Sequence, residues 1–78
     1  MNFILASSCA EAYFETGNYP ESLKWHMYCY LFSESAGLDE SAIHASAIGK
    51  GFGKIKNTSL AKKYMRIACD LGHKSSCQ

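Results

Sequence analysis

Cys69, His73 and Cys77 come closer than any other residues of this chain to a reactive or metal-binding set. Spaced four apart, they would converge on one side of a continuous helix, and thiolates with an imidazole are donors that zinc favours. Gly72 interrupts that helix and no fourth ligand stands at matching spacing, so no metal site is expected. His26 and His44 are single histidines without an acid or nucleophile at an informative distance along the chain. No Ser-His-Asp set, Cys-His pair or paired carboxylates can be assembled. The chain is expected not to be an enzyme and to need no cofactor.

Two glycine-rich fragments imitate ligand-binding motifs. Lys50-Gly51-Phe52-Gly53 copies the start of an RNA-binding strand motif, but that motif needs a β-sheet to present its aromatics. Gly49, Gly51 and Gly53 suggest a phosphate loop, yet Lys54 stands where the dinucleotide fingerprint wants its third glycine and no strand precedes it. The cluster reads instead as a turn between helices.

The elements that must position these residues are four helices. Phe3, Ala6, Ala10, Tyr13 and Phe14 recur at helical spacing and predict a first helix from about Asn2 to Thr16. The second runs from about Pro20 to Ser35, with Pro20 suited to a first turn and Glu21 to the positive end of the dipole. Ala36-Gly37-Leu38 is the turn that follows. Asp39 or Ser41 caps a third helix from about Glu40 to Gly49, and Asn57 or Thr58 caps a fourth from about Thr58 to Leu71. Trp25, Phe32, Tyr64, Ala68 and Leu71 are the expected shared core. Helix two is apolar around most of its circumference: Trp25, Tyr28, Cys29 and Phe32 form one stripe, and Met27, Tyr30 and Leu31 a second. Cys9 and Cys29 read as small packing residues.

Gly51-Phe52-Gly53, Asn57, Ala61, Tyr64, Ala68-Cys69 and Gly72 give a glycine turn, a polar helix start and a helix with small and aromatic residues on one face. An upstream copy is present. Ser22, Trp25 and Cys29 repeat the spacing of Ala61, Tyr64 and Ala68 at a displacement of 39, while Cys9-Ala10 and Tyr13 match His44-Ala45 and Ile48 at 35. The four-residue difference is assigned to a longer turn at Gly51–Asn57. The pattern resembles the Sel-1-like repeat, a relative of the tetratricopeptide repeat. That resemblance implies an all-α fold in which two antiparallel helical hairpins stack as a short α-solenoid. The units fall at about 2–37 and 39–72, with a tail at 73–78. It also implies a protein-binding role, and the segment Ala68 to Cys77 resembles the cysteine-rich secreted branch of the family, in which this pair forms a disulfide. In a reducing cytosol all four cysteines would stay thiols.

A chain of 78 residues makes one small domain, near the lower limit for an adequate core. Its 47% apolar content argues against disorder, and no apolar run approaches the roughly 18 residues of a membrane span. Ile4 to Cys9 faintly resembles a lipoprotein processing site, but no basic residue precedes it and the apolar stretch is too short for a signal peptide. A cytoplasmic location is expected. The net charge of +1 hides an acidic half and a basic half. Residues 1–40 hold six acidic groups and one basic, a balance of −5; residues 41–78 hold seven basic groups and one acidic, a balance of +6.

Such asymmetry steers partners of opposite charge. The expected partner is a protein, with a basic toxin as the leading case and this chain as its stoichiometric inhibitor, in the manner of an immunity protein. The expected contact residues are Glu11, Glu15, Tyr28, Tyr30, Glu34, Asp39 and Glu40. An adaptor or assembly role is the alternative, and a homodimer is considered because short repeat arrays leave open ends. Nucleic acid binding through the Lys50–Arg66 segment is a weaker option, opposed by the acidic half.

Overall fold

A computed structural model of the chain describes residues 3–37 and 40–77. Its elements are α1 (Phe3–Glu15), α2 (Tyr19–Ala36), α3 (Ser41–Lys54), α4 (Thr58–Asp70) and a 3₁₀ turn at Lys74–Ser76. No strand occurs among the described residues. Successive helices pack on one another, which makes two antiparallel hairpins stacked as a short α-solenoid. Pro20 lies in the first turn of α2, where its missing N–H costs nothing. Asn57 caps α4, its Oδ1 accepting from Leu60 N–H at 3.2 Å. Glu40 occupies the cap position of α3 without a side-chain bond, and Asp39 lies outside the described residues.

Three helix ends close with one pair of backbone bonds. Gly17 N–H donates to Phe14 O at 3.1 Å and Asn18 N–H to Tyr13 O at 2.8 Å. After α3, Lys56 N–H donates to Gly53 O at 3.1 Å and Asn57 N–H to Phe52 O at 2.9 Å. After α4, Gly72 and His73 repeat the pattern on Cys69 O and Ala68 O. Each pivot is left-handed, with φ of 84° at Gly17, 65° at Lys56 and 105° at Gly72. Glycine takes that conformation without steric cost, whereas Lys56 bears roughly 1–2 kcal/mol of Cβ strain.

The matched turns fix a single displacement of 39, from Gly17 to Lys56 and from Asn18 to Asn57. The expected displacement of 35 for the first helices is corrected: Ala6 pairs with Ala45, Ala10 with Gly49 and Tyr13 with Phe52. The reason is that α3 runs on to Lys54, so Gly49, Gly51 and Gly53 are helical and the turn is only Ile55–Asn57. Glycine within a helix costs about 1 kcal/mol, and close helix contact offsets it at two of these positions. A Cβ on Gly49 would stand 2.7 Å from Met65 Sδ and 3.2 Å from Ala61 O; one on Gly51 would stand 2.7 Å from Leu23 Cδ2. These glycines are notches, one facing α4 and one facing α2.

Close approach also decides the core. Ala6, Ala10, Cys29, Ala45, Ile48 and Ala68 are fully buried. Of the expected core, Ala68 is there and Trp25 and Tyr64 are half-buried, but Phe32 is 43% and Leu71 41% exposed. Helices spaced by alanine and glycine leave little room for the larger Trp, Tyr and Phe rings between them, so those rings line the edges. Trp25, Tyr28 and Phe32 run along one side of α2, with Tyr28 stacked on Phe32 at 6.5 Å. On the other side Tyr64 stacks on Phe52 at 5.8 Å and meets Tyr30 edge-on at 6.3 Å.

Beyond Gly72 the tail folds back on the second hairpin. Cys69 and Cys77 are joined by a disulfide, with Cα atoms 4.8 Å apart. Buried Ser76 Oγ donates to Ser46 Oγ of α3 at 3.3 Å and lies 2.8 Å from His73 Nδ1.

Candidate functional site

The buried stripe of α2 is polar rather than aromatic. Ser22, His26, Cys29 and Ser33 follow one another at helical spacing and point inward. Ser22 Oγ donates to Ala10 O at 2.8 Å, tying α2 to α1. His26 reaches toward α3, where its Nδ1 lies 3.2 Å from His44 Nδ1. In such a pair one ring donates and the other accepts, so opposite tautomers are required. Burial, and then the neighbouring His44, pushes the His26 pKa down to about 4. Burial lowers His44 as well, against an opposing pull from Glu40 and Glu11. Both rings are therefore neutral at pH 7. Burial also pushes the Cys29 thiol up, consistent with a packing role.

These histidines form the floor of a groove of about 430 Å³ between α1 and α3. Phe14, Ile43 and Ala47 give it apolar walls. Glu11 and Glu15 from α1 and Glu40 from the start of α3 supply acidic groups, and Lys50 and His73 line it as well. The arrangement combines buried hydrogen-bonding groups, apolar side chains and three acids against the basic Lys50. No cluster of three or more His, Cys, Asp or Glu able to hold a metal occurs among the described residues.

The expected contact residues fall into separate places. Glu11, Glu15 and Glu40 share the groove. Tyr30 and Glu34 lie together elsewhere: the Tyr30 hydroxyl donates to Glu34 Oε1 at 3.4 Å, and its ring packs against Tyr64 of α4. Tyr28 belongs to the aromatic row with Trp25 and Phe32, on the opposite side of α2. Asp39 lies outside the described residues. The sequence reading missed His26 and His44 as a pair. The available signal was the inward stripe through Ser22 and Cys29, on which His26 falls in phase.

Comparison with protein-family models, with curated proteins and with solved structures finds no match to this chain. No helix among the described residues is long and apolar enough to cross a membrane.

Proposed function

We propose that this chain is a non-catalytic protein-binding module of the Sel-1-like kind, acting as a small inhibitor that occupies a basic partner stoichiometrically, as an immunity protein occupies a toxin. The observation that carries this reading is the groove itself. Glu11, Glu15 and Glu40 line it together with Phe14, Ile43 and Ala47, and outnumber the basic Lys50. Such a groove suits a cationic segment with an apolar anchor, since charge speeds encounter and buried apolar area holds the complex. The partner-contact set contracts accordingly to the groove acids, with Tyr30 and Glu34 outside it. An adaptor role is the second reading, favoured by the aromatic row along the outer edge of the first hairpin.

Tagged chain used as bait in its native cell tests the proposal. Reversal of Glu11, Glu15 and Glu40 to lysine should abolish capture of the partner and leave the thermal melt unchanged. Reversal of Lys62 and Lys63 should leave capture intact. The opposite pattern, with nucleic acid in the captured fraction, would replace the inhibitor reading with nucleic acid binding. A thiol count on the same material bears on location: Cys9 and Cys29 are outside any disulfide while Cys69 and Cys77 are joined. Two free thiols fit an oxidising compartment; four fit the cytoplasm.

A further inference from the structure

The 39-residue repeat defines what each end of the stack is built to meet. Inside the molecule, three pairings join α2 to the second hairpin beside the Tyr30–Tyr64 ring contact. Leu23 sits over Gly51, His26 meets His44, and Met27 Sδ accepts from the Tyr64 hydroxyl at 3.8 Å. Shifted forward by one repeat, the receiving residues become Lys62, Met65 and Arg66 of α4. Shifted back by one repeat, the incoming residues become Ala12, Leu5 and Trp25. Both sets lie at the surface of this chain. Lys62, Arg66 and Ala12 are exposed, Leu5 is 54% exposed, and Met65 and Trp25 are half-buried.

We propose that copies of this chain associate head to tail, the α4 face of one copy receiving the α1–α2 end of the next. The receiving face holds an open cavity of about 570 Å³ with Ala61, Met65 and the Cys69–Cys77 bridge as its apolar lining. Lys62 and Arg66 flank it. Each pairing has a chemical counterpart across the contact. Small Ala12 takes the place of Gly51 and accommodates Lys62. Leu5 meets Met65 where His44 meets His26. Trp25 takes the place of Tyr64 and presents its ring to Arg66, a favourable cation–π pair. Glu21, one turn before Trp25 on α2, brings an acid to the same contact. The halves also attract as wholes, the first at −5 and the second at +6. The second copy is thus selected by shape, by charge and by the register of the internal repeat. The contact joins two different surfaces, so it does not close on itself as a two-fold dimer would, and chains add successively. This inference goes beyond the groove reading and survives the failure of that reading.

Sedimentation equilibrium on the whole oxidised chain tests it. The mass of the wild type should rise with concentration past that of a dimer, and raising salt to about 0.5 M should push the onset to at least roughly ten-fold higher concentration. Ala12→Arg blocks one end with a like charge, and Arg66→Glu blocks the other. Each variant alone should remain a monomer with an unchanged helical spectrum and melt. Mixed in equal amounts they should form a one-to-one pair that grows no further, because each supplies the end the other lacks. A wild type that stays monomeric at millimolar concentration overturns the proposal. So does a mass that levels off at two copies with no pairing in the mixture.

Discussion

The two hairpins share one backbone plan and differ in what they do with it. In the first, Ser22 ties α2 to α1 through Ala10 O; at the matching place in the second, Gly49 faces Ala61 O with nothing but contact between them. The first hairpin turns on Gly17 and the second on Lys56. His26 of α2 has a buried imidazole partner, whereas Met65, its counterpart in α4, packs over Gly49 and borders an open cavity. Leu23 and Met27 of the first correspond to Lys62 and Arg66 of the second. A face that receives a neighbour within the chain is apolar or neutral, and the equivalent terminal face carries charge. The difference teaches that stacking geometry belongs to the backbone and its small residues, while the identity of the neighbour is decided by a few side chains at the receiving face.

The largest effect expected from that comparison is a dependence on pH that His26 brings to α2 and that Met65, its counterpart in α4, cannot supply. An unfolded histidine takes up its proton near pH 6.5, but His26 in the folded chain does so only at about 4. Between those values the unfolded chain binds more protons, so stability is full above pH 6.5 and falls as the pH drops toward 4. His44 acts in the same direction. The upper bound for His26 is about 3 kcal/mol, enough to lower the melting temperature of a domain this size by roughly 10 °C or more. His26→Met installs the residue of the second hairpin. It should flatten the profile to the share of His44, as thermal melts from pH 7 to pH 4 would record. A slope unchanged by the substitution would mean that His26 does not carry the pH dependence.

How much of this was legible beforehand depended on the kind of residue that carried the signal. The four helices were readable because their starts are punctuated by Pro20 and Asn57 and their turns by Gly17 and Gly72. The repeat was readable in its second helices, where aromatic Trp25 and Tyr64 keep phase. It slipped in its first helices because a cluster of glycines carries two meanings. Glycine marks a turn when the backbone needs a positive φ, and a notch when another helix comes close, and only three-dimensional contact separates the two. The true turn used Lys56, a residue with no propensity signal for it. Bulky apolar residues likewise suggested a core, but the close helix spacing set by Ala6, Ala45 and Ala68 left them at the edges. The groove escaped detection because its floor joins His26 and His44, which lie on different helices and have no local spacing rule to announce them.

The notch reading makes a prediction of opposite signs on one helix. Gly49→Ala gains about 1 kcal/mol of helix propensity, but its Cβ meets Met65 and presses on the Ala61 carbonyl, a backbone group that cannot swing aside. The net change should be a loss of about 1 kcal/mol, within the range for overpacked sites. Gly53→Ala, where a Cβ would meet nothing within 4 Å, should instead gain about 0.5–1 kcal/mol. Urea midpoints of the two variants decide it. If both variants were stabilised, α3 and α4 would have room to spare and the close contact would not be what keeps Gly49.

The smallest expected effect lies in the turn itself. Lys56 adopts φ of 65° at the pivot where the equivalent residue is Gly17. Its Cβ strain persists because the two backbone bonds, from Lys56 N–H to Gly53 O and from Asn57 N–H to Phe52 O, hold the turn in place. Lys56→Gly relieves that strain and keeps both bonds, but it also frees the unfolded chain, which returns part of the gain. A net stabilisation of about 0.5–1 kcal/mol is expected, read as a rise in urea midpoint without a change in slope. The substitution also removes one cation from the basic hairpin, so Lys56→Ala serves as the charge control. It keeps the Cβ, retains the strain and should show no comparable gain. If Lys56→Ala stabilised the chain as much as Lys56→Gly, the effect would be one of charge, and the two turns would differ in sequence without differing in strain.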